Sequence, residues 1–167
     1  MGIDGSTCQS GLLQAGIEVT VDNSGAVFYY VGYEWFPDQA YEFLEDMSIK
    51  AGDIIQVDIT ATSTIMGNVQ VTNVSTGKSV SETLFAPSGS FLCRQNAEWI
   101  VEDFTLDDDL VPLVNFGTVV FTQASAALST GDIQDLSNAT ISDIRQHGTV
   151  YTDVVINSGS QVTVQYV

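Results

Sequence analysis

The sequence predicts an all-β protein, an antiparallel β-sandwich of two packed sheets with little helix. Three observations carry that prediction. Short segments with alternating apolar and polar side chains recur along the chain. Clusters of Gly, Asn, Asp and Ser separate them at regular intervals. No stretch sustains a 3.6-residue apolar period over the length of a long helix. The 167 residues show no internal repeat and no linker, and suffice for one domain, 1–167, with a sizeable core.

Taken in order, Leu12 to Val21 alternates as a strand, with Leu12, Gln14, Gly16 and Glu18 on one face. Asp22-Asn23-Ser24-Gly25 is a turn cluster. Val27 to Trp35 is aromatic and β-rich, with Phe28, Tyr30, Gly32 and Glu34 on one face and Tyr29, Val31, Tyr33 and Trp35 on the other. Pro37 and Asp38 break it, and Gln39 to Met47 reads as a short helical turn or a loop entering a strand near Ile49. After a Gly52-Asp53 turn, Ile55, Val57 and Ile59 alternate with Gln56, Asp58 and Thr60 in a half-buried strand. Val69–Val74 and Lys78–Phe85 flank a Ser-Thr-Gly turn as a hairpin.

Asn96 to Phe104 reads as one further strand. Ala97, Trp99, Val101 and Asp103 then share one side, and Glu98, Ile100, Glu102 and Phe104 the other. Two acids beside two large apolar groups suit the floor of a cleft. A solvated edge strand whose acids discourage aggregation accounts for the same pattern. Asp107–Asp109 lies in a loop, Val111–Phe116 and Thr118–Gln123 read as strands, and Ala126–Asn138 as loop. Thr140–Arg145, Val150–Ile156 and Gln161–Val167 close the chain as strands.

The charge balance is extreme: 4 Lys and Arg against 21 Asp and Glu, formally −17 at pH 7. Such a surface repels nucleic acid and anionic membranes, and no apolar run approaches a membrane span. At very low pH the carboxylates are neutral and only about +6 remains, from the bases and the amino terminus. The chain is therefore nearly neutral in acid and strongly self-repelling at neutral pH, which points to an acidic workplace. Cys8 and Cys93 fit either one disulfide of an exported protein or two buried thiols. Closing so long a loop would stabilise the fold by about 4–5 kcal/mol in the chain-entropy account. Asn73-Val74-Ser75 and Asn138-Ala139-Thr140 are glycosylation sequons. Met1 is followed at once by Gly-Ile-Asp-Gly, which does not read as a signal peptide.

The chemistry narrows by residue type. One histidine, His147, provides no zinc ligand set. Consecutive acids at Asp107–Asp109 point apart and lack a calcium-loop pattern. His147 sits beside Gly148 in a turn-like place, and no nucleophile-elbow motif accompanies it. Asp22-Asn23-Ser24-Gly25 is not the Asp-Thr/Ser-Gly turn of an aspartic dyad. Glu98 and Glu102 on one strand face are compatible with glycoside hydrolysis. Four residues of strand nevertheless span about 13 Å, against about 5–9.5 Å between a glycosidase's carboxyls; Glu34 from another strand could still pair with one of them. Peptide hydrolysis needs an acid or base for water and the leaving amine, and donors for the developing oxyanion. Glu102 can supply the first, and a non-ionising amide such as Gln14 the second. A core glutamine satisfied by backbone is the alternative account of Gln14.

Nine motifs settle the choice. GIDG at Gly2–Gly5, Cys8, LLQAG at Leu12–Gly16, YEWFPD at Tyr33–Asp38, AGDII at Ala51–Ile55, TGKSV at Thr76–Val80, LCRQN at Leu92–Asn96, NAEWIVEDF at Asn96–Phe104 and the terminal VTVQYV occur here together. Their order and spacing resemble those of the glutamic peptidases (eqolisins), from Gly2 to Val167. The resemblance implies a concanavalin-like sandwich and a catalytic pair, Gln14 and Glu102, with Glu98 matching no catalytic residue. It implies that Glu102 activates water and then protonates the leaving nitrogen, while Gln14 polarises the scissile carbonyl. Neither metal nor cofactor is implied, and Cys8 and Cys93 are implied to be bonded. Asp4 matches a cleft residue, although a turn aspartate beside glycines has a local explanation. Glu34, in the matching strand, reads as a substrate or supporting contact, and Trp35, on the opposite face, as core. The expectation is a secreted, fungal, pepstatin-insensitive acid endopeptidase acting on protein or peptide substrates. It would be a monomer, or be complemented by a separate N-terminal segment. The family's opening segment, which carries strands and tryptophans of the cleft, has no counterpart here. That departure keeps open a catalytically inactive relative or a polypeptide- or carbohydrate-binding module. A β-sandwich glycoside hydrolase is the remaining alternative.

Overall fold

Strand-forming alternation dictates most of what the computed structural model contains; it describes residues 1–44, 47–106 and 109–167. The chain divides into two compact units, Met1–Glu98 and Trp99–Val167. In the first unit the strands are β1 (Gly2–Asp4), β2 (Leu12–Val21), β3 (Val27–Phe36), β4 (Tyr41–Glu42), β5 (Ile55–Ala61), β6 (Met66–Asn73), β7 (Lys78–Phe85) and β8 (Ala97–Glu98). They form an antiparallel sheet in the order β4-β3-β2-β1-β8 and a meander β5-β6-β7.

The two sheets pack face to face. Leu13 and Ala15 of β2, Val31 and Trp35 of β3, Val69 and Val71 of β6, and Val80 and Leu84 of β7 form one core. Every one of them obeys the period-2 rule that places alternate residues on one face. Packing is close where Leu13 meets Gly67: a Cβ at Gly67 would lie 2.4 Å from Leu13 Cδ2 and 3.0 Å from the Thr60 carbonyl oxygen. Only a residue without a side chain lets the sheets approach so closely there. Trp35 is 2% exposed and donates its indole N–H to Ser90 Oγ at 3.1 Å, as a buried indole must. The β2–β3 turn is closed by Asp22, whose Oδ1 accepts from Ser24 N (2.8 Å), Ser24 Oγ (2.7 Å) and Ala26 N (3.0 Å).

The second unit contains β9 (Thr105–Leu106), β10 (Asp109–Leu110), β11 (Thr118–Thr122), β12 (Ala126–Ala127), β13 (Ile133–Gln134), β14 (Arg145–Gln146), β15 (Thr149–Val150), β16 (Thr152–Ser158) and β17 (Gln161–Tyr166). A three-stranded sheet β11-β17-β16 is its centre, and two-stranded pairs surround it in sequence. Ala124, Leu136 and Val162 form the core, with Trp99, Phe121, Val154 and Ile156 against it. His147 (φ 49) and Gly148 (φ 87) make the exposed two-residue turn between β14 and β15, where both positions require positive φ.

Several expectations are corrected. Asn96–Phe104 is strand only at Ala97–Glu98. The short β1 supplies two rungs, Ile3↔Ala97 and Gly2↔Glu98, and the ladder ends there. Glu98 and Glu102 therefore do not sit on one strand face, and the 13 Å spacing argument does not apply to them. Val111–Phe116 is not a strand; Pro112 carries no N–H for a ladder. Thr140–Arg145 is strand only from Arg145, because Ile144 N donates to Thr152 Oγ1 (2.8 Å) instead of to a neighbouring strand. Ala126–Asn138, expected as loop, holds the β12–β13 pair and a 3-10 turn at Leu136–Asn138, capped by Asp135. Gln39–Met47 contains β4; its Glu45 and Asp46, like Asp107 and Asp108 of the acidic loop, lie outside the described residues, while Asp109 opens β10. Of the two sequons, Asn73 is fully buried and donates Nδ2 to Asp53 (2.8 Å), whereas Asn138 is exposed.

Candidate active site

Leu13 and Ala15 of β2 point into the core, so Leu12, Gln14 and Gly16 between and beside them line the opposite face of the five-stranded sheet. The register puts Glu34 opposite Gln14, Gln14 opposite Gly2, and Gly2 opposite Glu98. One row of four strands thus carries an acid, an amide, a gap and an acid. Gly2 keeps the gap open: a Cβ there would meet Leu12 Cδ1 at 2.9 Å. Gln14 and Glu34 are half-buried, and Gln14 Nε2 donates to Glu34 Oε2 at 2.6 Å. The structure therefore brings together two of the residues singled out from sequence.

Glu98 is half-buried and accepts a hydrogen bond from Ser6 N at 2.9 Å. Burial raises its pKa, and the nearby Asp4 charge adds to the rise. The Ser6 N–H and the amino-terminal charge oppose it. Glu34 and Glu98 lie three strand spacings apart in the row, about 14 Å between backbones. A glycosidase holds its two carboxyls about 5–9.5 Å apart, so this pair would meet that range only with both side chains leaning towards each other.

Asp4 is fully buried in a left-handed conformation, φ 67. Its carboxylate accepts from three backbone donors: Arg94 N (2.7 Å), Gln95 N (2.8 Å) and Asn96 N (3.3 Å). Its own N–H donates to the Asn96 carbonyl at 3.1 Å. These bonds hold the residues that lead into β8. The Cys8–Cys93 disulfide joins the same two loops across 85 residues, with a Cα–Cα distance of 6.0 Å. Asn96 adds a further tie, its Oδ1 accepting from Thr7 N (3.2 Å) and Thr7 Oγ1 (2.6 Å).

Glu102 belongs to the second unit, exposed and outside any strand. The segment that carries it is held on both sides. Trp99 packs on the Ala124–Leu136–Val162 core, and Asp103 accepts a hydrogen bond from Gln146 Nε2. Sequence reasoning missed Gln146 and Asp103, because their contact joins residues 43 positions apart with no local pattern. It also missed β1, whose three residues are too few to show alternation.

A family model described as the Peptidase A4 family matches residues 1–166. The chain is 45% identical to aspergillopepsin-2 of Aspergillus niger over 167 residues, which covers all of this chain and 58% of that protein. It is 36% identical to scytalidopepsin B of Scytalidium lignicola over 174 residues, covering all of this chain and 64% of that protein. The chain thus spans about three-fifths of the length of these curated relatives. Among solved structures it is similar to aspergilloglutamic peptidase from Aspergillus niger, with a TM-score of 0.92 and 45% identity over 99% of this chain and 95% of that one. It is also similar to scytalido-glutamic peptidase in complex with a transition state analog inhibitor, with a TM-score of 0.89 and 36% identity over 99% of this chain and 81% of that one.

Proposed function

The chain belongs to the Peptidase A4 family, and from that premise we propose that it is an acid endopeptidase in which Gln14 and Glu102 perform the chemistry. The observation that carries the reading is the Gln14 amide, held by Glu34 on the open face of a sheet, in a chain that a peptidase family model matches from end to end. Glu102 takes a proton from the attacking water as general base and returns it to the leaving nitrogen as general acid. Gln14 donates an N–H to the oxygen that becomes negative in the tetrahedral intermediate. Such a pair contains no aspartic dyad, so pepstatin does not inhibit it. Asp4 serves this site by fixing the loop before β8, and Glu34 by contacting Gln14. The substrates are polypeptides bound extended, the protein acts outside the cell, and both units form one peptidase domain. It works as a monomer or with a separate N-terminal segment.

A second reading is a catalytically inactive polypeptide-binding module. It is favoured by the far half of the β2–β3 hairpin, which leaves Ile17, Val19, Val21, Val27 and Phe28 exposed. One experiment decides between them: cleavage of acid-denatured protein near pH 3 with pepstatin present, by the chain as given, by Glu102→Gln and by Gln14→Ala. Activity lost in both variants supports the peptidase. No activity in the unsubstituted chain supports the binding module. Activity retained in Glu102→Gln removes Glu102 from its role.

A further inference from the structure

We propose that Glu34 is a positioning residue that sets the Gln14 amide in the orientation an oxyanion donor needs, acting through its acceptor oxygen and not through its charge. This rests on Gln14 being the oxyanion donor. A glutamine side chain has three rotatable bonds, and an oxyanion donor is effective only when it is oriented before the reaction starts. Little on the Gln14 row can brace it. Gly2 faces it from β1, and Gly16 follows it on the same face of β2. The brace comes from β3, where the register sets Glu34 directly opposite and Gln14 Nε2 donates to Glu34 Oε2 at 2.6 Å.

The consequence is chemical. An amide nitrogen carries two N–H donors. One is spent on Glu34, which leaves the other free for substrate. Turning the amide over would bring its carbonyl oxygen against an acceptor, so the ionised carboxylate permits one orientation. A protonated Glu34 still accepts from Nε2, and its O–H can return a bond to Gln14 Oε1. With Nε2 on the carboxyl's acceptor oxygen, as here at 2.6 Å, the amide is then held by two bonds. The clamp therefore persists in both protonation states, as an enzyme active in acid requires.

A neutral acceptor should accordingly replace Glu34, and an apolar residue should not. In Glu34→Gln, kcat on a peptide substrate is expected to stay within about threefold of the unsubstituted chain. In Glu34→Leu, kcat is expected to fall about 10- to 100-fold with KM changed less than about twofold, the pattern of an interaction needed in the transition state. Unchanged kcat in Glu34→Leu overturns the proposal. So does an equal loss in both variants, which would make charge the operative feature, or a rise in KM alone, which would make Glu34 a substrate contact. A second readout does not depend on turnover. In nitrogen–proton NMR spectra the two Gln14 Nε2 protons should be widely separated in the unsubstituted chain and in Glu34→Gln, and should converge in Glu34→Leu. Absence of peptidase activity together with this pattern would defeat the peptidase reading and leave the clamp standing. Gln14 resonances identical in all three proteins would defeat the clamp itself.

Discussion

Asp4 shows how much of the site depends on single residues. Its carboxylate is the acceptor for three consecutive backbone N–H groups at Arg94, Gln95 and Asn96. Asp4→Ala removes the acceptor shared by those three N–H groups, and a donor that loses its partner costs about 1–3 kcal/mol where water does not reach it. Relaxation and entering water reduce the sum, so a loss of about 2–4 kcal/mol is expected in urea unfolding. A loss below about 0.5 kcal/mol, the range of ordinary surface substitutions, would mean that other contacts hold this loop. On the proposed function, the variant should also weaken peptide cleavage, because the same loop leads into β8 beside the Gln14 row. None of this was legible in GIDG as a sequence. A positive φ at Asp4 and partners ninety residues away leave no local trace. What was legible was the pairing of faces. Alternation put Gln14 and Glu34 each on one face of its strand, opposite Leu13 and Trp35, and the register joined them.

At the scale of elements, β2 approaches β6 closely at Leu13 and Gly67. Gly67→Ala places a methyl group within 2.4 Å of Leu13 Cδ2. Overpacking of that kind costs about 1–3 kcal/mol. Leu13→Ala alone removes a fully buried side chain and costs about 2–5 kcal/mol. Because the new methyl occupies space that Leu13 vacates, the double variant should lose less stability than the sum of the two. Simple additivity in a double-mutant cycle would mean that the two positions do not compete for space. Elements with a partner along their whole length, such as β2, β3 and β5 to β7, were legible because each residue there reports its face. Two-residue bridges such as β8 were not, because the length of a ladder is set by its neighbour. Asn96–Phe104 carries a strand's alternation for nine residues, yet the ladder it joins has only two rungs.

Charge acts on the whole molecule. At pH 7 the formal charge of −17 makes the folded chain repel itself, and acidification removes that repulsion. Glu98 works in the same direction. Burial raises its pKa, so between the unfolded and folded values the folded protein binds more protons than the unfolded chain. Its contribution is complete below the unfolded pKa and is lost as pH rises through the folded one. Three aspartates oppose it. Asp22 is lowered first by the Ser24 hydroxyl, Asp53 by the Asn73 amide and Asp135 by the Ser137 N–H. The stability they contribute is present above the ordinary aspartate value, about 3.9, and is lost as pH falls through their lowered values. The two sets together predict a maximum in acid. The melting temperature should rise as pH falls from 7 towards about 4, then fall again as the turn aspartates protonate. Added salt should raise it most at pH 7, where self-repulsion is greatest. A melting temperature higher at pH 7 than at pH 4 would show that the turn carboxylates outweigh the released repulsion. The acidic composition would then say nothing about where the protein works.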